Sequence, residues 1–338
     1  MAEPSSKVTG TFEITGDDIS SSADFDYGSL ASPESRRAYF QQHGYLVRPG
    51  LIDKKLCVQA TLCFESEIKS YDGYLYRQAS ANPEKHERNA TGKIMNPLLN
   101  PLSLSSRRFP SFRAVSEQLL SSGELFGAVE EIFTEPAVLV QSMYFEGNPG
   151  TWPHQDGYYL DTDSLGKLTG AWIALEDIDE RVGRFYILPG SQLVDAGSNR
   201  GSLSIAANHD RYKKRVHDYV RSRHLEIRAP VLRRGDVLFW SSRTIHGASM
   251  PADPSLSRHS YTAHFIPASA RFMQYECIPV TVSPATVNGN SVCRPKDQNR
   301  LMNRWILVLE ARAPRLFPRL KRAVIAHKIK RLAGRRLS

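Results

Sequence analysis

The chain has 338 residues, 41% of them apolar and 23% charged, and a formal net charge of +9. Such a composition excludes a disordered or low-complexity protein, and no uninterrupted apolar run approaches the roughly 18 residues that a bilayer span requires. The charge is local: ten Lys and Arg residues follow Ala311 and no acid follows Glu310, so residues 1–310 carry about −1 and the basic balance says nothing of what the body binds.

Residues 1–30, rich in Ser, Asp and Gly and without the basic start and apolar stretch of a secretory signal, read as a flexible lead-in. Ser32 with Glu34 and the apolar spacing after them predict a capped helix, "GYLVRPGLI" a short strand, and "DKKLCVQATLCFESEIKS" an amphipathic helix led by Asp53. Further helices are expected in "SFRAVSEQLLSSGELFGAVEEIF", interrupted near Gly123. Beyond Pro136 the pattern changes to short apolar or alternating runs cut by turn residues: "AVLVQSMYFEG", "LTGAWIALEDI", "GRFYILPGS", "HLEIRAPVL", "GDVLFWSS" and "RHSYTAHFIPA". Many short strands at this spacing predict a sandwich or barrel, with "ANHDRYKKRVHDYVRSRH" as a helical insertion. The fold class is therefore mainly β with a helical N-terminal part: one domain over residues 31–310, a β core at about 136–275, and a separate basic segment over 311–338.

In that last segment Leu316, Leu320, Val324, Ile325, Ile329 and Leu332 recur at helical spacing among cations, and Gly334 can end the helix. One reading is peripheral contact with an anionic membrane; the other is a helix packing its apolar stripe on the body. With a near-neutral body and no nucleic-acid module, nucleic acid is not an expected partner, and no obligate protein partner is evident. The four cysteines, Cys57, Cys63, Cys277 and Cys293, form no C-x-x-C pair, which fits a reducing compartment and a cytoplasmic location, with membrane association as the variant the tail suggests.

The chemistry gathers in "TWPHQDGYYLDTD". Alternate side chains of an extended segment share a face, so His154 and Asp156 converge while Gln155 points away. Two histidines and one carboxylate on one face of an octahedron hold non-haem Fe(II) and leave positions open for substrates. In "GDVLFWSSRTIHGASM", a turn and a buried strand deliver His246 as the second histidine. Arg258, Ser260, Thr262 and His264 then share one face of the next strand, and His264 is the rival to His246. An inward arginine is costly unless an anion meets it, and a bidentate carboxylate is its natural partner.

"HQD", His246 some ninety residues on, and Arg258, together with "FQQHGYLVRPGL", "QSMYF", "GAWIALEDI", "PGSQ" and "RHSYTAHF", resemble the phytanoyl-CoA dioxygenase family of Fe(II)/2-oxoglutarate oxygenases over roughly residues 36–275. The resemblance implies a double-stranded β-helix (jelly-roll, cupin-like) core. It implies iron held by His154, Asp156 and His246, 2-oxoglutarate and dioxygen as cosubstrates, and Arg258 on the distal carboxylate of 2-oxoglutarate. By the same resemblance Trp172 and Met143 line the cosubstrate pocket and Lys93 approaches it. Gln155 and Tyr158 are expected at the substrate cavity, and no acid or base beyond the metal ligands is required. The implied reaction is hydroxylation of an aliphatic C–H in a small molecule of secondary or lipid metabolism. The chain departs from the pattern at Ala248, where the family carries a serine, so that Ser249 or Ser260 has to supply the hydroxyl, and at Gln192 in place of a histidine. Asp156 is retained, where related halogenases have a small residue. Two other readings are a catalytically silent metal-binding barrel acting through its basic tail and a non-redox cupin-type metalloenzyme.

Overall fold

A computed structural model of the chain describes residues 14, 18–19, 30–194, 205–223, 225–275 and 278–313. The expected lead-in, apart from Ile14, Asp18, Ile19 and Leu30, and the basic segment from residue 314 onward lie outside the described residues.

Helix α1 (Pro33–His43) opens with a capping box in which Ser32 and Ser35 satisfy each other's backbone N–H, and it ends at Gly44 with φ 76°. Ser35 therefore takes the place expected for Glu34. Strand β1 (Tyr45–Arg48) follows, then α2 (Lys54–Cys63), capped by Asp53 and prolonged by a π-helical turn over Phe64–Ile68. Helices α3 (Pro110–Leu120) and α4 (Gly123–Phe133) break at Ser122, which caps α4 one residue before the glycine.

The β core has eight principal strands: β1, β2 (Ala137–Phe145), β3 (Thr151–His154), β4 (Thr169–Ala174), β5 (Phe185–Ile187), β6 (Val237–Ser241), β7 (His246–Ala248) and β8 (Ser260–Pro267). They form two sheets. The larger runs β1–β6–β4–β8–β2 and continues through Asn290–Val292 and Ala285–Val287; the smaller is β3–β7–β5.

Alternation along β8 decides what each face of the large sheet touches. Tyr261 lies edge-on to Tyr144 at 4.9 Å, and Tyr144 stacks on Phe64 at 4.3 Å, so this face rests on the π turn after α2 and on Phe112 of α3. Burying such aromatic side chains stabilises the junction by roughly 1.5–3 kcal/mol each. Ser260, Thr262 and His264 face the other way, toward the small sheet. There Phe185 closes the gap, its ring 6.0 Å from Trp172 and 5.0 Å from Trp240. Two sheets packed face to face, antiparallel among their eight principal strands and with alternating inward residues, make the double-stranded β-helix.

Two expectations are corrected. The described part of "HLEIRAPVL", residues 225–232, is no strand: Arg228 makes a single bridge to Ile187, and Pro230, lacking an N–H, stops the ladder there. A helix not anticipated, α6 (Leu301–Arg312), precedes the basic segment and runs across residue 310. The helical insertion is α5 (Ile205–Arg223). No helix among the described residues is long and apolar enough to cross a bilayer.

Candidate active site

His154 ends β3 and His246 opens β7, and the register pairs them directly. Their rings are 4.4 Å apart. Each Nδ1 lies 2.9 Å from a backbone carbonyl two residues back, Trp152 for His154 and Thr244 for His246. A carbonyl accepts only from N–H, so each Nδ1 carries the hydrogen and each Nε2 keeps its lone pair. Both Nε2 atoms face one oxygen of Asp156, with Oδ1 3.5 Å from His154 and 3.7 Å from His246. The three ligand atoms lie within 4.8 Å of one another, close enough to share one ion.

The second oxygen of Asp156 is held from behind. Trp240 donates its indole N–H to Oδ2 at 2.8 Å, and His264 Nε2 lies 3.5 Å from the same atom. Gly170 makes room for that indole: a Cβ there would stand 2.3 Å from the Trp240 ring. His264 thus backs the carboxylate from the side away from the two paired imidazoles, with Nδ1 3.2 Å from Gln141 Oε1. Burial pushes the Asp156 carboxyl up, but the facing imidazoles of His246, His154 and His264, in their protonated form, outweigh it and hold it well below the usual range. Burial pulls His246 down to about 4. Near neutral pH Asp156 is a carboxylate and His246 a neutral imidazole, the forms in which these two groups bind a divalent metal.

Arg258 precedes β8 and is 3% exposed. Its Nη1 donates to the Gly183 carbonyl at 3.0 Å, its Nε is buried without a hydrogen-bond partner, and no acid among the described residues pairs with it. Gly183 has φ 74°, and a Cβ would stand 2.1 Å from the Ser249 carbonyl, so only glycine lets this loop reach the guanidinium. Burial lowers the Arg258 pKa to about 9. A desolvated guanidinium with an orphaned donor suits an anionic ligand.

The other expected residues divide. Trp172 belongs to the inner face beside Arg258, whose Cζ lies 5.8 Å from its ring centroid, and Met143 shares a register row with Thr262 and Trp172. Ser260 gives its hydroxyl to the Arg258 carbonyl at 3.2 Å, and Ser249 lies against Arg184. Gln192 ties its amide to the carbonyls of Gln41 and Gln42 at the end of α1. Gln155 spends its amide on the carbonyls of Ser191, Val194 and Arg243, which turns it away from the histidines. Tyr158 is buried and stacks on Tyr212 at 3.9 Å. Lys93 lies 4.0 Å from Glu146.

Two contributors went unforeseen. One is Trp240, read only as part of a buried strand; a buried indole needs a partner for its N–H, and that need was the available signal. The other is Tyr212 of α5, whose hydroxyl accepts from Gln155 N at 2.7 Å and donates to Gln155 O at 3.1 Å, clamping the residue between the two ligands.

A second cluster, Glu65, Glu146 and His259, also has its ligand atoms within 4.8 Å of one another. The Lys69 ammonium already lies 2.9 Å from Glu65 and 2.6 Å from Glu146.

Comparison with known proteins gives the family and the fold. The family model for phytanoyl-CoA dioxygenase (PhyH) matches residues 40–250. Phytanoyl-CoA dioxygenase domain-containing protein 1 of Danio rerio is 26% identical over 67% of this chain and 87% of its own length. The Bos taurus protein of that name is 28% identical over 47% of this chain and 54% of its own. Among solved structures, the epimerase SnoN in complex with Fe3+, α-ketoglutarate and nogalamycin RO is similar at 17% identity and TM-score 0.51, covering 78% of this chain and 95% of that one. The carbocyclase SnoK from nogalamycin biosynthesis is similar at 17% identity and TM-score 0.50, over 74% of this chain and 88% of its own. The chain belongs to the phytanoyl-CoA dioxygenase family of Fe(II)/2-oxoglutarate oxygenases.

Proposed function

We propose that the protein hydroxylates an aliphatic C–H of a small molecule, with His154, Asp156 and His246 holding Fe(II) and Arg258 holding the distal carboxylate of 2-oxoglutarate. The observation that carries this reading is a buried carboxylate faced by two imidazoles, together with a buried guanidinium that no acid among the described residues pairs with. When bound, iron with 2-oxoglutarate and dioxygen supplies the oxidation, one oxygen atom entering succinate as carbon dioxide leaves and the other entering the substrate as a hydroxyl.

The rest of the work falls to the chain's own side chains. The carbonyls of Trp152 and Thr244 fix both imidazoles in the tautomer that presents Nε2 inward. Trp240 occupies one oxygen of Asp156 and leaves the other to face the histidines. Phe185, Trp172 and Trp240 wall the space between the sheets with apolar surface, which keeps water from the reacting groups and strengthens the Arg258 interaction. No side chain has to give or take a proton.

Succinate release from the full chain, measured with iron, 2-oxoglutarate and pools of free and lipid-like metabolites, tests this reading. Turnover that requires iron and depends on one added compound supports it. Iron-loaded protein that binds no 2-oxoglutarate under anaerobic conditions contradicts it and returns the silent barrel and the non-redox metalloenzyme to consideration.

A further inference from the structure

Helix α6 is built inside out. Its side against the body carries Glu310, 3% exposed and bonded to Lys296 at 2.9 Å, and Asn303, which donates to the Asp297 carbonyl at 2.8 Å. Its outer side presents Leu301, Met302, Trp305, Val308 and Leu309, which are 62%, 70%, 60%, 37% and 51% exposed. At 100° per residue these five fall within an arc of roughly 120° opposite Glu310, with Arg312 on the same arc. Five large apolar side chains on one exposed helix face form a binding surface rather than scattered exposure.

Charge identifies what that surface meets. Beside α6 lies an open cavity of about 500 Å³ whose charged lining is Arg107, Arg108 and Arg304, with no acid. The Arg304 Nε is buried and has no hydrogen-bond partner among the described residues. Arg300 and Arg312 are exposed at the two ends of the helix, and none of these five guanidiniums has an ion pair among the described residues. Residues 314–338 add nine more Lys and Arg and no acid. Laying that segment over the stripe would press nine cations against five, and pairing two copies through α6 would double the same charge. Both occupants are opposed by like-charge repulsion. An anionic lipid surface accepts the apolar stripe and the cations together.

We infer that α6 docks the protein on anionic phospholipid membranes, Trp305, Met302 and Leu309 entering the interface while Arg107, Arg108 and Arg304 meet headgroup phosphates. The test is flotation of the full chain with vesicles of phosphatidylcholine alone and of phosphatidylcholine with phosphatidylserine. The wild type is expected to float only with the anionic vesicles, less so as salt rises. The double variant Met302→Asp, Trp305→Asp should lose about tenfold or more in partitioning, as follows from withdrawing large apolar side chains from an apolar medium. Both side chains are exposed, so its thermal midpoint should match that of the wild type. Absence of wild-type binding, equal binding to both vesicle types, or full binding by the variant overturns the inference. So does a variant that unfolds several degrees lower, which would mean the chain covers its own stripe. A wild-type dimer that the variant converts to monomer would assign the face to a second copy and would also overturn it.

Discussion

Two clusters in this protein hold the same kinds of residue, and only one suits a metal. At His154, Asp156 and His246, imidazoles and the Trp240 indole reach the carboxylate, and no Lys or Arg among the described residues does. At Glu65, Glu146 and His259, Lys69 supplies the cation from within the chain. The second cluster is a finished ion-pair network that ties the helical front end to the far end of β2, where Glu146 also accepts from Ile94 N at 2.9 Å. Residue type and proximity are alike in the two places; what separates a binding site from a structural knot is whether the counter-charge is already built in.

Substitutions can break that contrast. The largest effect is expected for His246→Ala: iron-dependent succinate formation should fall more than about a hundredfold, beyond the 10–100-fold typical of residues that only support a ligand. Initial rates at saturating iron check it. Arg258→Met should cost 2-oxoglutarate affinity by about thirtyfold or more, the loss expected when one partner of a buried charge pair is truncated. The same change removes an unpaired buried charge, so unliganded protein should be as stable as the wild type or more so by denaturant titration. Loss of stability with unchanged affinity would move Arg258 to the structural class. Trp240→Phe, which deletes the N–H on Asp156 Oδ2, should weaken iron binding by about tenfold, read by competition with a chelator.

At the other cluster the effects should be on folding. Lys69→Met takes the nearest cation from Glu65 and leaves Glu146 with Lys93 at 4.0 Å, and should cost about 1–3 kcal/mol in chemical denaturation with iron affinity intact. The smallest effect is on pH. Burial, with Lys93 and Lys69 nearby, holds His259 down to about 3, and burial beside Arg77 holds His86 down to about 4. Unfolded histidines titrate near 6.5, so from that pH down to about 3 or 4 the unfolded chain takes up protons that the folded chain refuses. Stability from these groups is therefore complete above about pH 6.5 and is lost as pH falls. His259→Asn should flatten the dependence of the thermal midpoint on pH across that window.

How much of this was legible before folding depends on range. The H-x-D spacing and the alternation along β8 are local, so His154, Asp156, Arg258, Thr262 and His264 could be placed from a strand's period of two, the turn and buried strand before it offered His246, and the family resemblance assigned the roles of ligand and carboxylate anchor. The Trp240 contact with Asp156, 84 residues apart in the chain, depends on β6 lying beside β4 at the register where Gly170 leaves space. No local pattern carries that. The same holds for Tyr212, which reaches Gln155 from an inserted helix. Gln155 and Tyr158 flank Asp156 in the chain, yet backbone geometry sends one amide to three carbonyls and one ring onto Tyr212. Helix α6 escaped because its apolar stripe covers no core.

Anaerobic calorimetry of 2-oxoglutarate binding to the iron-loaded full chain, run on wild type, His246→Ala and Arg258→Met, goes most directly to the claim that an iron centre and a guanidinium together take the keto diacid. The account predicts one-to-one, iron-dependent binding by the wild type that His246→Ala abolishes and Arg258→Met weakens by about thirtyfold or more. Wild-type binding that persists without iron and is indifferent to Arg258 would contradict it.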